Sequence, residues 1–192
     1  MITVHGTGAA ERIRTDRLTV RRFDAGDGEA LHRYLSQPEA VRFEPYDVQT
    51  RLRCHELALD RAGDEAFWAV CRTEDELLIG NLYLHRDDPR SWHTYTLGYV
   101  FDPAQWGHGY ATEAARALLD VCFRDWGAQR VAARCNPENA RSWRLLERLG
   151  MRREGLLEQA ASFATDAAGR PLWHDAYLYA VLEDEWSAER QS

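Results

Sequence analysis

A short glycine-broken segment, Trp106-Gly107-His108-Gly109-Tyr110-Ala111, constrains the fold of this chain more than any other feature. It follows an apolar, strand-like run and leads directly into Ala- and Leu-rich sequence with helical spacing. The first amides of a helix lack internal carbonyl partners and carry the positive end of the helix dipole, and glycines let an anion approach without meeting a Cβ. The pattern therefore predicts a strand, an anion-binding loop and a helix in succession, with a phosphorylated ligand.

The chain has 192 residues, enough for one domain with a full hydrophobic core. Its composition, 45% hydrophobic and 29% charged, is that of a folded globular protein. We expect a single domain over residues 13–186, with an N-terminal extension over residues 1–12 and a C-terminal tail over residues 187–192.

Charge and cysteine usage narrow the possible partners. The formal net charge of -7 repels a polyphosphate backbone at long range, so nucleic acid is not an expected partner. The apolar runs are shorter than the roughly 20 residues that span a bilayer, and no signal-peptide pattern precedes the fold. The four cysteines lack metal-ligand spacing and are expected to be buried thiols: Cys54, Cys71, Cys122 and Cys135. We expect a cytoplasmic monomer or homodimer with no metal and no membrane contact.

Hydrophobic periodicity predicts a mixed α/β chain, because runs of period two indicate strands and apolar residues three or four positions apart indicate helices. The predicted strands cover residues 14–23, 67–71, 77–84, 95–101, 129–135, 151–163 and 172–182. Four helices are predicted. The first follows Asp24, the second lies around residues 52–59, the third runs from Ala111 to Trp126, and the fourth runs from an N-cap at Asn139 to Gly150. Residues 41–46 are expected to form a loop or a short helix.

Two familiar phosphate loops do not match this sequence. A nucleotide-hydrolysing P-loop needs Lys and then Ser or Thr after its last glycine, whereas Tyr110, Ala111 and Thr112 follow Gly109. A dinucleotide fingerprint needs three spaced glycines after the first strand of a parallel unit, and this loop lies late in the chain with two.

Five segments taken together resemble the GNAT N-acetyltransferases, in particular the branch of ribosomal-protein N-terminal (alanine/serine) acetyltransferases. They are Thr15-Asp16-Arg17-Leu18, Leu97-Gly98-Tyr99, Trp106-Gly107-His108-Gly109-Tyr110-Ala111-Thr112-Glu113-Ala114, Asn136-Pro137-Glu138-Asn139-Ala140-Arg141-Ser142 and Leu146-Glu147-Arg148-Leu149-Gly150-Met151. The resemblance implies an α/β (α+β) fold with a bent, mostly antiparallel central sheet, a splayed strand pair and about four flanking helices. It also implies acetyl-CoA as the co-substrate, held in the opening between the two strands.

The resemblance assigns cofactor binding to one set of residues: Tyr99, Val100, Phe101, Trp106, Gly107, His108, Gly109, Tyr110, Ala111, Thr112, Asn136, Asn139 and Ser142. The loop amides would hold the pyrophosphate, and Val100 and Phe101 would pair with the pantetheine arm. Trp106 departs from the Gln or Arg that is common at its position, and we interpret it as a packing anchor. His108 has two interpretations, a phosphate contact or a solvated loop side chain.

Acetyl transfer needs a donor to the developing oxyanion and a proton for the departing thiolate. In a GNAT-like site the oxyanion donor is a backbone N–H near Tyr99 or Val100. The tyrosine that many relatives use as the thiolate acid is replaced by Leu146. Ser142, one helical turn after Asn139, matches the serine of this branch and is the predicted acid; its alternative role is a polar helix-start residue.

The general base is less directly indicated. Many relatives carry a glutamate two residues before the Gly-Tyr of the central strand, where this chain has Thr96. Glu44 is the predicted substitute, and its alternative role is a loop carboxylate bonded to backbone amides. Tyr46 and Asp175 are predicted, with Glu44, to contact the acceptor.

The predicted function is acetyl transfer from acetyl-CoA to a primary amine, either a protein or peptide N-terminus or a small amine, by direct attack in a ternary complex. Because Thr96 and Leu146 replace familiar catalytic side chains, a non-catalytic acyl-CoA sensor or partner subunit is the alternative. A nucleotide-binding module is a third hypothesis.

Overall fold

The structure of the chain, a computed structural model, describes residues 3–4 and 12–189. Nine strands form one sheet: β1 (Thr3–Val4), β2 (Arg12–Arg14), β3 (Leu18–Arg22), β4 (Phe67–Arg72), β5 (Leu78–Arg86), β6 (Thr94–Phe101), β7 (Arg130–Cys135), β8 (Arg152–Thr165) and β9 (Pro171–Leu182). Most of the predicted N-terminal extension and the end of the predicted tail lie outside the described residues.

Six α-helices surround the sheet in the described part of the chain: α1 (Gly28–Leu35), α2 (Pro38–Val41), α3 (Arg51–Ala62), α4 (Tyr110–Trp126), α5 (Ala140–Arg148) and α6 (Glu183–Glu189). Four of them have eight residues or more, which matches the predicted number. The short helix α2 ends at Val41, where the segment that was expected to be a loop or a short helix begins, and residues 42–46 form turns and bends. None of the helices over residues 12–189 has the length and apolarity to cross a bilayer.

The strand order is β1-β2-β3-β4-β5-β6-β7-β9-β8, and every neighbouring pair is antiparallel except β6 and β7. The predicted hairpin of β4 and β5 is confirmed, as is the hairpin of β8 and β9. The mixed, mostly antiparallel sheet is therefore the predicted one.

The strands β6 and β7 separate partway along their length. They pair in parallel from Thr94 to Leu97, opposite Arg130 to Ala133. Beyond that point β7 stays paired with β9 through Cys135, whereas the last four residues of β6 pair with β5. The sheet therefore opens at Gly98, which confirms the predicted splayed pair.

Alternation along β6 directs its side chains to the two sides of the sheet, because successive Cβ atoms point to opposite faces. Leu97 and Phe101 join a core with α4 and α5, and Val100 joins a second core with α1, α2 and α3. Trp68, on β4, is fully buried in the first core. The opening in the sheet is thus bordered by α5 on one side and by the α2 region on the other.

Candidate active site

A cleft of about 610 Å³ lies at the opening of the sheet. Its walls come from α2 and the turn after it, the end of β6, the glycine loop with the start of α4, and one face of α5. The lining residues are Glu39, Ala40, Arg42, Phe43, Glu44, Tyr99, Val100, Phe101, Gln105, Trp106, Gly107, Gly109, Tyr110, Ala111, Thr112, Asn139, Arg141, Ser142, Arg144, Leu145 and Arg148. The cleft brings together segments that are far apart in the sequence.

The glycine loop presents bare backbone to this cleft. Gly107 and Gly109 have φ values of +82° and +79°, in the left-handed region that favours glycine. A Cβ on Gly107 would meet no atom within 4 Å, so the space above it is open. Gly109 is the N-cap of α4, and no side chain caps the helix there. The first amides of a 17-residue helix are therefore available to an anion.

The Thr15-Asp16-Arg17-Leu18 motif, near the start of the sequence, contacts this loop and holds it in place. The Arg17 guanidinium binds the Glu113 carboxylate in the first turn of α4, with 2.7 Å between Nε and Oε2, and donates to the His108 carbonyl at 3.0 Å. The Thr15 hydroxyl and the Arg17 amide donate to the same carboxylate. Sequence analysis identified this motif but missed its role, which is to hold the loop against α4.

Trp106 connects the end of β6 to the loop. Its indole Nε1 donates to the Phe101 carbonyl at 3.1 Å, and its ring packs on the main core. Asp102, which is buried, accepts from the Ala104 amide at 3.0 Å and from the Gln37 side chain at 3.2 Å. These contacts support the interpretation of Trp106 as a packing anchor and join the strand to the α2 wall.

Arginines bring positive charge to two walls of the cleft. Arg141, Arg144 and Arg148 line it from α5, and Arg42 lines it from the turn after α2. The α5 arginines recur at positions i, i+3 and i+7, which places them on one helix face. Sequence analysis missed this set, although the spacing was visible. A groove with four guanidiniums suits a polyanionic ligand.

The start of α5 holds Ser142 at the edge of the cleft. Asn139 is the N-cap, as predicted, and its Oδ1 accepts from the Ser142 amide at 3.1 Å. Ser142 is 8% exposed, and its Oγ lies 2.8 Å from the hydroxyl of Tyr99. Burial raises the pKa of the Tyr99 phenol, so the phenol keeps its proton at neutral pH.

Glu44 lies in the opposite wall, beside Tyr46 and the buried Arg61. Burial raises the pKa of the Glu44 carboxyl to about 7, while the nearby Arg61 charge and a hydrogen bond with Tyr46 lower it. Burial also raises the pKa of the Tyr46 phenol. A carboxyl with a pKa near neutrality can accept a proton and release it at the pH where an enzyme works.

A second carboxylate occurs where sequence analysis found only Thr96. The Thr96 hydroxyl donates to Asp87 Oδ2 at 2.9 Å, and Thr96 pairs with His85 across β5 and β6. Asp87 follows the end of β5, so a loop side chain brings a carboxylate to this strand position, although neither Asp87 nor Thr96 is among the residues that line the cleft. Sequence analysis missed Asp87, because no local pattern links it to Thr96.

Most predicted site residues meet at the cleft, but four do not line it. His108 stacks on Tyr110 with ring centroids 5.5 Å apart. Asn136 Oδ1 accepts from the Glu138 amide at 2.8 Å. Asp175 lies in the β8–β9 hairpin, where its Oδ1 accepts from the Gln159 amide at 2.9 Å. Tyr46, the fourth, packs behind the wall that carries Glu44.

A sheet that opens between two parallel strands, beside a glycine loop at a helix N-terminus, defines a class of acyltransferases. The sequence profile described as "Acetyltransferase (GNAT) domain" matches residues 17–152. The chain therefore belongs to the GNAT acetyltransferase family, whose members transfer acyl groups to amines.

Relatives in bacteria span the whole domain. The uncharacterized N-acetyltransferase YnaD of Bacillus subtilis is 35% identical over 177 residues, covering 91% of this chain and 99% of YnaD. The [ribosomal protein uS5]-alanine N-acetyltransferase of Escherichia coli is 27% identical over 190 residues, covering 93% and 94%. The crystal structure of a GNAT-family acetyltransferase from Bacillus anthracis superposes with a TM-score of 0.82 at 33% identity, covering 90% of this chain and 99% of that one.

Proposed function

We propose that the chain transfers an acetyl group from acetyl-CoA to a primary amine. The observation that carries the proposal is the continuity of the cleft, which runs from bare loop amides past four arginines to the opening of the sheet. The volume of about 610 Å³ is within the range of small-molecule sites.

The residues present fit a CoA thioester. The open backbone over Gly107 and the uncapped start of α4 suit a pyrophosphate, and the basic face of α5 suits further phosphate charge. The outer edge of β6 at Val100 and Phe101 would lie along the pantetheine arm. Asn139 would face the same arm. When bound, acetyl-CoA supplies an activated acyl group on a thiol leaving group.

The chain itself would orient the reactants and move protons. An amide N–H near Tyr99 or Val100 would donate to the carbonyl oxygen as negative charge develops, which is the role of an oxyanion hole. Glu44, with a pKa of about 7, would take a proton from the attacking amine. Ser142 would donate a hydrogen bond toward the sulfur. Holding amine and thioester together makes the attack effectively unimolecular.

The acceptor is a primary amine, either a protein or peptide N-terminus or a small molecule. The similarity to the E. coli uS5-alanine N-acetyltransferase over almost the full length supports an N-terminus. Glu39 and Glu44 in the α2 wall would favour a cationic amine over an anionic one.

The four cysteines are free and buried, as predicted, which supports a reducing cytoplasm as the compartment.

A sensor or partner subunit that binds acyl-CoA without catalysis is the second candidate. It is favoured by Leu146, a fully buried apolar residue where many relatives have a catalytic tyrosine. It is also favoured by Thr96, whose hydroxyl is engaged by Asp87.

Release of free CoA separates the two candidates. Purified protein would be incubated with acetyl-CoA and a panel containing N-terminal peptides, polyamines and aminoglycosides, and thiol would be measured against a no-amine blank. The proposal expects at least one amine to stimulate release, with intersecting initial-velocity lines because both substrates bind before transfer. Tight acetyl-CoA binding with no stimulated release by any amine would instead establish the non-catalytic role.

The base is tested with two matched variants, Glu44→Gln and Asp87→Asn, each of which removes one charge at nearly constant shape. If Glu44 is the base, Glu44→Gln abolishes the rise of kcat/KM through about pH 7, and Asp87→Asn retains it. The reverse result would assign the base to Asp87, beside Thr96.

A further inference from the structure

The Tyr99 side chain makes two contacts with one residue at the start of α5. Its hydroxyl oxygen lies 2.8 Å from Ser142 Oγ and 3.1 Å from the Ser142 carbonyl oxygen. Both residues line the cleft. Tyr99 can reach α5 because β7 diverges from β6 after Leu97, which leaves no strand between the end of β6 and the helix.

Ser142 is held from several directions at once. Asn139 Oδ1 accepts from its amide, Tyr99 contacts its carbonyl and its hydroxyl, and the Cys135 thiol forms a hydrogen bond with the hydroxyl. Burial raises the pKa of the Cys135 thiol to about 11, so the thiol keeps its proton at neutral pH.

A serine hydroxyl accepts two hydrogen bonds and donates one. The Tyr99 phenol has one proton, which goes to the nearer of its two acceptors, Ser142 Oγ at 2.8 Å rather than the carbonyl oxygen at 3.1 Å. When the Cys135 thiol also donates to Oγ, both acceptor positions of the serine are filled. The serine proton must then point away from these two partners, toward the cleft that Ser142 lines. Donation by the phenol also makes the serine O–H a stronger donor, because linked hydrogen bonds polarise one another.

We infer that Tyr99 is a positioning residue for the acetyl transfer, acting through Ser142 to direct the serine O–H at the departing sulfur. The inference rests on the proposed function for its catalytic consequence. In the step it serves, the carbon–nitrogen bond forms and the carbon–sulfur bond breaks. The amine nitrogen loses one proton and the sulfur gains one, and the Ser142 O–H stabilises the sulfur until that proton arrives.

The first test measures ligand binding and needs no turnover. Calorimetry would compare CoA with desulfo-CoA, which lacks the sulfur, from about pH 6 to pH 9. The wild-type chain should increasingly prefer CoA as the free thiol ionises, because the serine O–H stabilises a thiolate. Tyr99→Phe should reduce that preference by roughly tenfold at high pH while leaving desulfo-CoA affinity unchanged. An unchanged ratio of the two affinities across the pH range would overturn the inference.

The second test is a double-mutant cycle with turnover. Tyr99→Phe should lower kcat by roughly 10- to 100-fold with little change in the KM for acetyl-CoA. Since Tyr99 acts through Ser142, the same change in a Ser142→Ala background should have almost no further effect. Equal losses in the two backgrounds would show that Tyr99 acts independently of Ser142.

Tyr95→Phe is the matched control. Tyr95 lies on the same strand with its side chain on the same face, is 5% exposed and stacks on Trp126 at 6.1 Å, away from the cleft. It should change neither the affinity ratio nor kcat. If no amine is acetylated by the wild-type chain, the proposed function fails, and the binding test still decides whether Tyr99 and Ser142 act together on the sulfur.

Discussion

Replacing Glu44 by glutamine should stabilise the folded chain, and the gain should grow with pH. The unfolded carboxyl ionises around its usual pKa of 4.5, whereas burial in the cleft wall keeps the folded carboxyl protonated up to a pKa of about 7. Folding therefore takes up a proton between these pH values, and the wild-type stability falls as the pH rises through them. Glutamine carries no charge in either state and escapes this cost.

The magnitude follows from the two pKa values. A pKa difference is worth 1.36 kcal/mol per unit, so the full cost of burying the ionised carboxylate is about 3.4 kcal/mol well above pH 7. At about pH 5 only about 0.8 kcal/mol of it is present, and at about pH 8 nearly all of it. The stability advantage of Glu44→Gln should therefore grow by about 2.5 kcal/mol over this interval, roughly 5–10 °C in Tm for a chain of this size.

The assay is urea unfolding of both proteins at several pH values, followed by tryptophan fluorescence. A lost hydrogen bond to Tyr46 shifts the comparison by a constant, so the slope with pH carries the information. Glu39→Gln is the matched control, because Glu39 lines the same wall at an exposed position and surface changes usually alter stability by less than about 0.5 kcal/mol. A Glu44→Gln advantage that is flat from about pH 5 to pH 8 would refute the account of Glu44 as a carboxyl buried at a cost.

Three further substitutions test the framework of the cleft. Gly109→Val should weaken CoA binding at least tenfold, since a branched side chain at φ +79° would distort the loop and cover its amides. Asn139→Ala should cost about 1 kcal/mol by removing the N-cap of α5, together with a fall in kcat as Ser142 loses its support. Gly80→Ala should cost about 1–3 kcal/mol, because its Cβ would lie 2.6 Å from the Phe101 ring and 2.7 Å from the Val100 carbonyl.

Each of these variants has a clear opposing outcome. Gly169→Val is the control for Gly109→Val: its φ is +77°, but it lies in the turn between β8 and β9, so it should lose stability and retain CoA affinity. Equal CoA affinity for both would reject the assignment of the loop, as calorimetry would show. Urea unfolding tests the other two variants. Wild-type stability of Asn139→Ala would contradict the helix cap, and wild-type stability of Gly80→Ala would contradict the close contact with Phe101 and Val100.

The features that depend only on residues close together in the sequence were predictable. The left-handed glycines, the Asn139 cap and the helical face of α4 are set by local backbone and periodicity, and the structure has all three. The opening of the sheet came only from the family resemblance, because a splay depends on which partner each strand keeps. Periodicity describes a single strand and carries no information about its neighbours.

The groups proposed to handle protons were only partly predictable, because they meet across long sequence distances. Tyr99 and Ser142 are 43 positions apart, and the strand register and the helix start together bring them within hydrogen-bond distance. Glu44 could be selected as a loop carboxylate, but its pKa is raised by burial and partly lowered again by the nearby Arg61 charge, and the loop sequence reveals neither. Asp87 was missed for the same reason, since a side chain from the end of β5 reaches Thr96 on the neighbouring strand.

This division explains why the glycine loop indicates the acyl donor and leaves the acceptor open. Under the proposed function, the donor side is built from backbone amides and a helix face, which depend on the glycines and the cap. The acceptor side would be the wall of α2 and the turn after it, which is joined to the rest of the cleft through contacts such as that of Gln37 with Asp102. Exchanging Glu39 and Phe43 should therefore change which amine is used, with CoA affinity retained. A loss of CoA affinity as large as the change in amine preference would show that the two sides are not separable.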